Sequence, residues 1–144
     1  PPHITVSAVE TKHEDLLLTC VEEVVKQIKI GVVKFVSVGT FDTQVIFVQP
    51  VLSEYLHRLV ERLTQECEQM EETILRTNYQ PFCWLPHCTI AKQLTKEQML
   101  QAFGVLQNKF TPFSGRIVKL GIARTNPHRD IKVWELRGDD VKSL

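Results

Sequence analysis

The sequence has no surplus charge of either sign. Its 144 residues carry 17 Lys and Arg against 17 Asp and Glu, a formal net charge of zero with His neutral. Duplex nucleic acid is held by clustered basic charge, so a broad grip on duplex DNA is excluded, whereas a local basic pocket is not. No apolar run approaches the roughly 18 residues of a membrane span, and no charged-then-apolar leader is present, so no membrane partner is expected. Four cysteines occur, Cys20, Cys67, Cys83 and Cys88, but no CxxC pair. Zinc spacing is therefore missing, and no metal or other cofactor is expected. Cys20 and Cys67 fall on apolar helix stripes and read as small core residues. The expected compartment is reducing and cytoplasmic, with free thiols. A Cys83–Cys88 disulfide is the alternative. Low-complexity linkers are also missing.

What is present suits one globular domain. The length allows an independent core, and 43% hydrophobic with 24% charged residues is ordinary for a soluble fold. HITVSAV (3–9) alternates like a strand. Thr11 and Glu14 have capping-box spacing before DLLLTCVEEVVKQI, whose Leu17, Val21, Val24 and Ile28 share a helical face. Gly31 is expected to end that helix. VVKFVSVGTF (32–41) and QVIFVQP (44–50) read as a hairpin turning at Asp42-Thr43. Ser53 opens a helix to about Glu71, with Leu56, Leu59, Val60, Leu63 and Cys67 inside. Residues 72–83 read as a loop and LPHCTIAK (85–92) as a strand. Thr95 and Gln98 form another capping box, for a helix to about Gln107 with Met99, Leu100, Phe103 and Leu106 inside. Pro112 and Ser114-Gly115 are expected to break the chain. RIVKLGIAR (116–124) and IKVWELR (131–137) read as strands joined by TNPHRD, and GDDVKSL as a tail. This order points to an α+β fold with helices covering one face of each sheet.

One phrase occurs twice. Residues 2–6 read PHITV and residues 86–90 read PHCTI. In a strand, positions i and i+2 share a face. His3 and Thr5 then project together, as do His87 and Thr89, each imidazole and hydroxyl roughly 7 Å apart along the chain. Ile4, Val6, Cys88 and Ile90 go to the other face, toward helices. Buried polar groups left unpaired cost about 1–3 kcal/mol each, so two such polar faces imply a shared polar cleft. Two histidines suit phosphoryl chemistry: one neutral ring takes a proton from the attacking oxygen, and one protonated ring gives a proton to the leaving oxygen. Threonine hydroxyls can donate to the non-bridging oxygens. The plainer reading is that each histidine satisfies a structural hydrogen bond. Its placement at residue 3 requires either a strand pinned in the sheet or something preceding it, since termini fray.

Three stretches, PHITV (2–6), VGTFDTQVIFV (38–48) and FCWLPHCTIAK (82–92), resemble the 2H phosphoesterase superfamily, which includes LigT-like 2′-5′ RNA ligases and 2′,3′-cyclic phosphodiesterases. The motif histidines lie 84 positions apart, from 3 to 87, as in that family. The resemblance implies one domain over 1–144, bilobal, with two antiparallel sheets around a central cleft and helices outside. It implies His3 and His87 as the acid–base pair, Thr5 and Thr89 as phosphate-binding residues, and a nucleotide or RNA end as substrate. The family usually places a strand and a helix before the first motif, and this sequence shows neither. Many members carry Arg shortly after the second motif; Lys92 stands nearby here. The expected activity is metal-independent hydrolysis of 2′,3′-cyclic phosphates or 2′-5′ linkages. The alternatives are a non-catalytic nucleotide or RNA-end binding module, RNA ligase-like activity, or a structural domain.

Phe82, Trp84 and Tyr79 precede the second motif. They offer rings on which a base could stack, or they plug the loop onto the core. His13 reads as a solvated first-turn residue and His57 as surface. His128 with Arg124 and Arg129 reads as a basic turn that could contact phosphate. Trp134 reads as sheet packing. The acidity around 66–72 reads as the wet side of a helix.

Overall fold

The structure, a computed structural model, describes residues 1–138. The remainder of the expected tail lies outside the described residues. In chain order the elements are β1 (Val9–Thr11), α1 (Glu14–Gln27), β2 (Gly31–Phe41), β3 (Val45–Pro50), α2 (Glu54–Glu68), β4 (Thr73–Leu75), a 3-10 turn (Thr77–Tyr79), β5 (Cys88–Ala91), α3 (Lys96–Lys109), β6 (Phe113–Ile117), β7 (Lys119–Arg124) and β8 (Arg129–Glu135). The fold is α+β, as expected. All ladders between named strands are antiparallel: a four-stranded sheet in the order β5-β3-β2-β6 and two-stranded sheets β1-β4 and β7-β8. No helix among the described residues is long and apolar enough to cross a membrane.

Local chemistry explains the helices. The Ser53 hydroxyl accepts from the Leu56 N–H at 3.3 Å and starts α2. Leu56, Leu59, Val60, Leu63 and Cys67 are all buried along its inner face. Both bonds of the Thr95–Gln98 capping box form, at 3.2 and 2.9 Å, and start α3. The first capping box does not form. Thr11 belongs to β1, opposite Thr73, and its hydroxyl accepts the His13 N–H at 3.1 Å, so His13 is the N-cap of α1. In α3, Met99 is buried but Leu100 is 68% exposed, because the helix leans on the sheet through a narrower stripe than its periodicity suggested.

The strands depart from expectation where partners decide. Only Val9–Thr11 of the first segment is laddered, because β4 offers three residues. Ala8 takes one further bond from the Arg76 N–H at 3.0 Å, after which the partner chain curls into the 3-10 turn. Residues expected as a loop, 72–83, thus supply β4 and that turn. Ser114-Gly115 does not break the chain. It runs through β6, where Gly115 stands opposite Val33 and the Phe35 ring comes within 3.3 Å of where a Cβ would lie. The expected 116–124 strand divides at Val118 between β6 and β7. Gly31 opens β2 rather than ending α1.

Two core clusters form. Val21, Val24 and Ile28 of α1 pack with Leu59 and Leu63 of α2 and with Leu120 and Leu136. Val33, Phe35 and Val48 of the large sheet pack with Leu56 and Val60 of α2 and with Trp84 and Cys88. A register shift between Phe35 and Ser37 marks a bulge in β2. Before it, Gly31, Val33 and Phe35 face α2; after it, Val38 does, opposite Val48. Ser37, Gly39 and Phe41 are thereby turned to the other face of the sheet, where Gly39 pairs with Phe47.

Tyr55 is wedged into this scaffold, donating its hydroxyl to the Lys29 carbonyl at 2.8 Å. A Cβ on Gly31 would lie 2.4 Å from its ring. Gly31→Ala is therefore expected to destabilise the fold by about 1–3 kcal/mol through overpacking, read as a lower urea midpoint at unchanged slope. Burial, with Cys20 and Glu66 adding repulsion, pushes the Cys67 thiol up to about 11. The unfolded chain loses this proton near its ordinary value of 9.0 and the folded chain does not, so this stability is full below pH 9 and is lost between pH 9 and 11. In native alkylation at neutral pH, exposed Cys83 is expected to react first and Cys67 last, as checked by peptide mass mapping.

Candidate functional site

The first motif lies outside any ladder, so the strand expected at 3–9 is corrected. Its side chains still part as alternation requires. Ile4 and Val6 pack into the cluster around Val33, Val48 and Cys88, while Thr5 is half-buried and His3 is exposed. The His3 ring makes one hydrogen bond, Nδ1 to the Pro1 carbonyl at 3.2 Å. A carbonyl only accepts, so Nδ1 carries the proton of the neutral ring and Nε2 is left with its lone pair.

The second motif begins one residue before β5. Cys88 is buried in the same cluster as Ile4 and Val6; Thr89, opposite Phe47 in the ladder, is exposed on the other face. Ile90 is half-exposed, contrary to its expected helix contact, since β5 is an edge strand. His87 Nδ1 donates to the Leu85 carbonyl at 2.8 Å. This repeats the bond of the first motif, again to the residue two positions back and again across a proline. Pro2 and Pro86 have fixed φ and restrict the residue before them, which narrows where that carbonyl can point. The His87 ring meets Phe41 edge-on at 4.8 Å and 84° and tilts against Phe47 at 5.4 Å; Phe41 and Phe47 touch at 4.5 Å. Contacts of this kind contribute about 0.5–1.5 kcal/mol each beyond burial.

Trp84 joins the two motifs. It is 8% exposed, and its indole N–H donates to the Thr5 carbonyl at 3.1 Å. Its ring packs in the core, the alternative expected for it beside base stacking. Tyr79 is half-buried against the same cluster. Phe82 is 90% exposed, with a left-handed φ of 64°, and its ring contact is His57 of α2 at 5.1 Å. It therefore neither plugs the core nor touches His87 through that contact. Lys92 is exposed just past the end of β5.

Two of the remaining histidines have local partners. His57 Nε2 lies 3.7 Å from Glu61, and His128 Nε2 lies 3.2 Å from Asp130. Arg124 is paired with Glu14 at 2.5 Å, which ties the basic turn to α1. Sequence reading missed Gly39, Phe41 and Phe47 beside His87. A glycine inside a strand is the available signal, because it marks a close approach.

A family model described as the 2′-5′ RNA ligase superfamily matches residues 1–129. The chain belongs to this superfamily. The match spans both His-x-Thr motifs and the turn before β8, and the α+β architecture agrees with the 2H phosphoesterase fold. No curated protein matches the chain.

Trp84→Phe keeps the ring and removes the donor. It is expected to cost about 1–3 kcal/mol by leaving the Thr5 carbonyl unpaired. Denaturant unfolding reads the loss, and faster amide exchange at residues 3–8 locates it.

Proposed function

We propose that this member of the superfamily is a phosphodiesterase that opens 2′,3′-cyclic phosphates or cuts 2′-5′ linkages of nucleotides or RNA ends, with His3 and His87 as its acid and base. The observation that carries the reading is the shared anchoring of both motifs. Ile4 and Cys88 enter one cluster, and Trp84 ties the second motif to Thr5.

The matching Nδ1 bonds support it further. Each ring keeps Nε2 for proton exchange, with a carbonyl behind Nδ1 that holds the ring in one tautomer. Water attacks phosphorus as one Nε2 lone pair takes its proton. The P–O bond to one ribose oxygen breaks as the other, protonated, Nε2 gives that oxygen a proton. The product is a phosphate monoester with a free hydroxyl, and proton exchange with solvent resets the pair. Thr5 and Thr89 hydroxyls donate to the non-bridging oxygens, which gain charge in the transition state. The leaving oxygen decides which histidine is the acid. Lys92, exposed just past β5, offers its charge to a neighbouring phosphate in this reading.

His3→Ala and His87→Ala are each expected to lower turnover by at least about 100-fold, the scale of a general acid or base. The assay is hydrolysis of a panel of 2′,3′-cyclic and 2′-5′-linked nucleotides with chelator present. Wild-type rates in both variants would sink the assignment. Saturable nucleotide binding without turnover would replace it with a binding module.

A further inference from the structure

The second histidine is held far more closely than the first, and the cause is traceable to one residue without a side chain. Gly39 stands opposite Phe47 in the β2–β3 ladder. The Phe47 ring lies across it: a Cβ on Gly39 would be 2.5 Å from the ring. In that position Phe47 touches Phe41 and His87, and Phe41 meets His87 edge-on. The bulge before Ser37 turns Gly39 and Phe41 to this face. On the remaining side the Leu85 carbonyl holds Nδ1. Among the described residues, His3 has one carbonyl bond and no aromatic ring against it.

We propose that Gly39, Phe47 and Phe41 are positioning residues for His87: the missing Cβ lets the Phe47 ring lie flat on the sheet, and the two rings hold the imidazole against the Leu85 carbonyl so that Nε2 faces the substrate in one tautomer. This rests on the reading of His87 as an acid or base. The purpose follows from general acid–base chemistry. A proton can move only along a line to the reacting oxygen, and a free imidazole can rotate off that line and exchange tautomers. Two packed rings remove the rotation, and the carbonyl removes the exchange. None of the three touches the substrate in this account, so none is a catalytic residue.

A purely structural role makes a different prediction, since Gly39 and Phe47 also pack the sheet. The test uses the full chain with ¹⁵N-labelled histidine and 2′,3′-cyclic AMP as substrate. In the wild type, His87 is expected as the Nδ1–H tautomer when neutral. In Phe47→Leu and Phe41→Leu its nitrogen shifts should move toward the tautomer mixture of free histidine, while those of His3 stay in place. kcat should fall about 10- to 100-fold, the scale of a misplacement near 1 Å, with KM nearly unchanged. Gly39→Ala should lower the melting temperature and move the His87 shifts in the same direction. Gly39→Ala combined with Phe47→Leu makes room for the methyl and should recover the melting temperature but not kcat. Unmoved His87 shifts in both phenylalanine variants overturn the proposal, as does recovery of kcat in the double variant. A wild type with no turnover, whose His87 shifts nonetheless respond in this pattern, upholds the clamp and refutes the phosphodiesterase reading instead.

Discussion

The bond from the Trp84 indole to the Thr5 carbonyl joins stretches 79 positions apart. The first motif depends on it. Residues 3–7 have no strand partner, so side-chain burial and this bond are what hold them. Ile4 and Val6 anchor the segment by burial, and the Trp84 bond fixes its height along the second motif. Cys88 enters the same cluster from the other side. The polar halves of the two motifs are consequences of where these apolar neighbours are buried.

Much of this was legible in the sequence. Capping residues and apolar stripes located α2 and α3, and alternation located the β2–β3 hairpin, because those signals act within one element. The repeated His-x-Thr phrase and its spacing pointed to the superfamily. What was not legible depends on partners. Thr11 looked like a cap but lies opposite Thr73 in a ladder. Ser114-Gly115 looked like a breaker but continues an edge strand, where Gly115 sits close over Phe35. The bulge after Phe35 inverts which residues of β2 face the helix, and no local pattern announced it. That inversion is what hid Gly39 and Phe41 from a reading based on alternation.

The site shows an asymmetry within a repeat. Both histidines use Nδ1 on a carbonyl two residues back, across a proline. Their surroundings then differ: His87 is half-buried against two phenylalanines, and His3 is exposed. A repeat that keeps the hydrogen bond but not the packing gives two equivalent chemical groups with unequal freedom. Strain is also local to the second motif's approach, where Phe82 holds a left-handed backbone that bulky residues rarely adopt. That turn lies between the 3-10 turn and Trp84, so it sets how the chain enters the motif.

The central claim is that His3 and His87 serve one phosphate. It is tested most directly by titrating the ¹⁵N-histidine protein with 2′-AMP and with 3′-AMP, the two possible products of ring opening. The account predicts that the Nε2 resonances of His3 and His87 move together, along one saturation curve with a single Kd, while those of His57 and His128 stay fixed. Movement of only one motif histidine, or two curves with different midpoints, would contradict it.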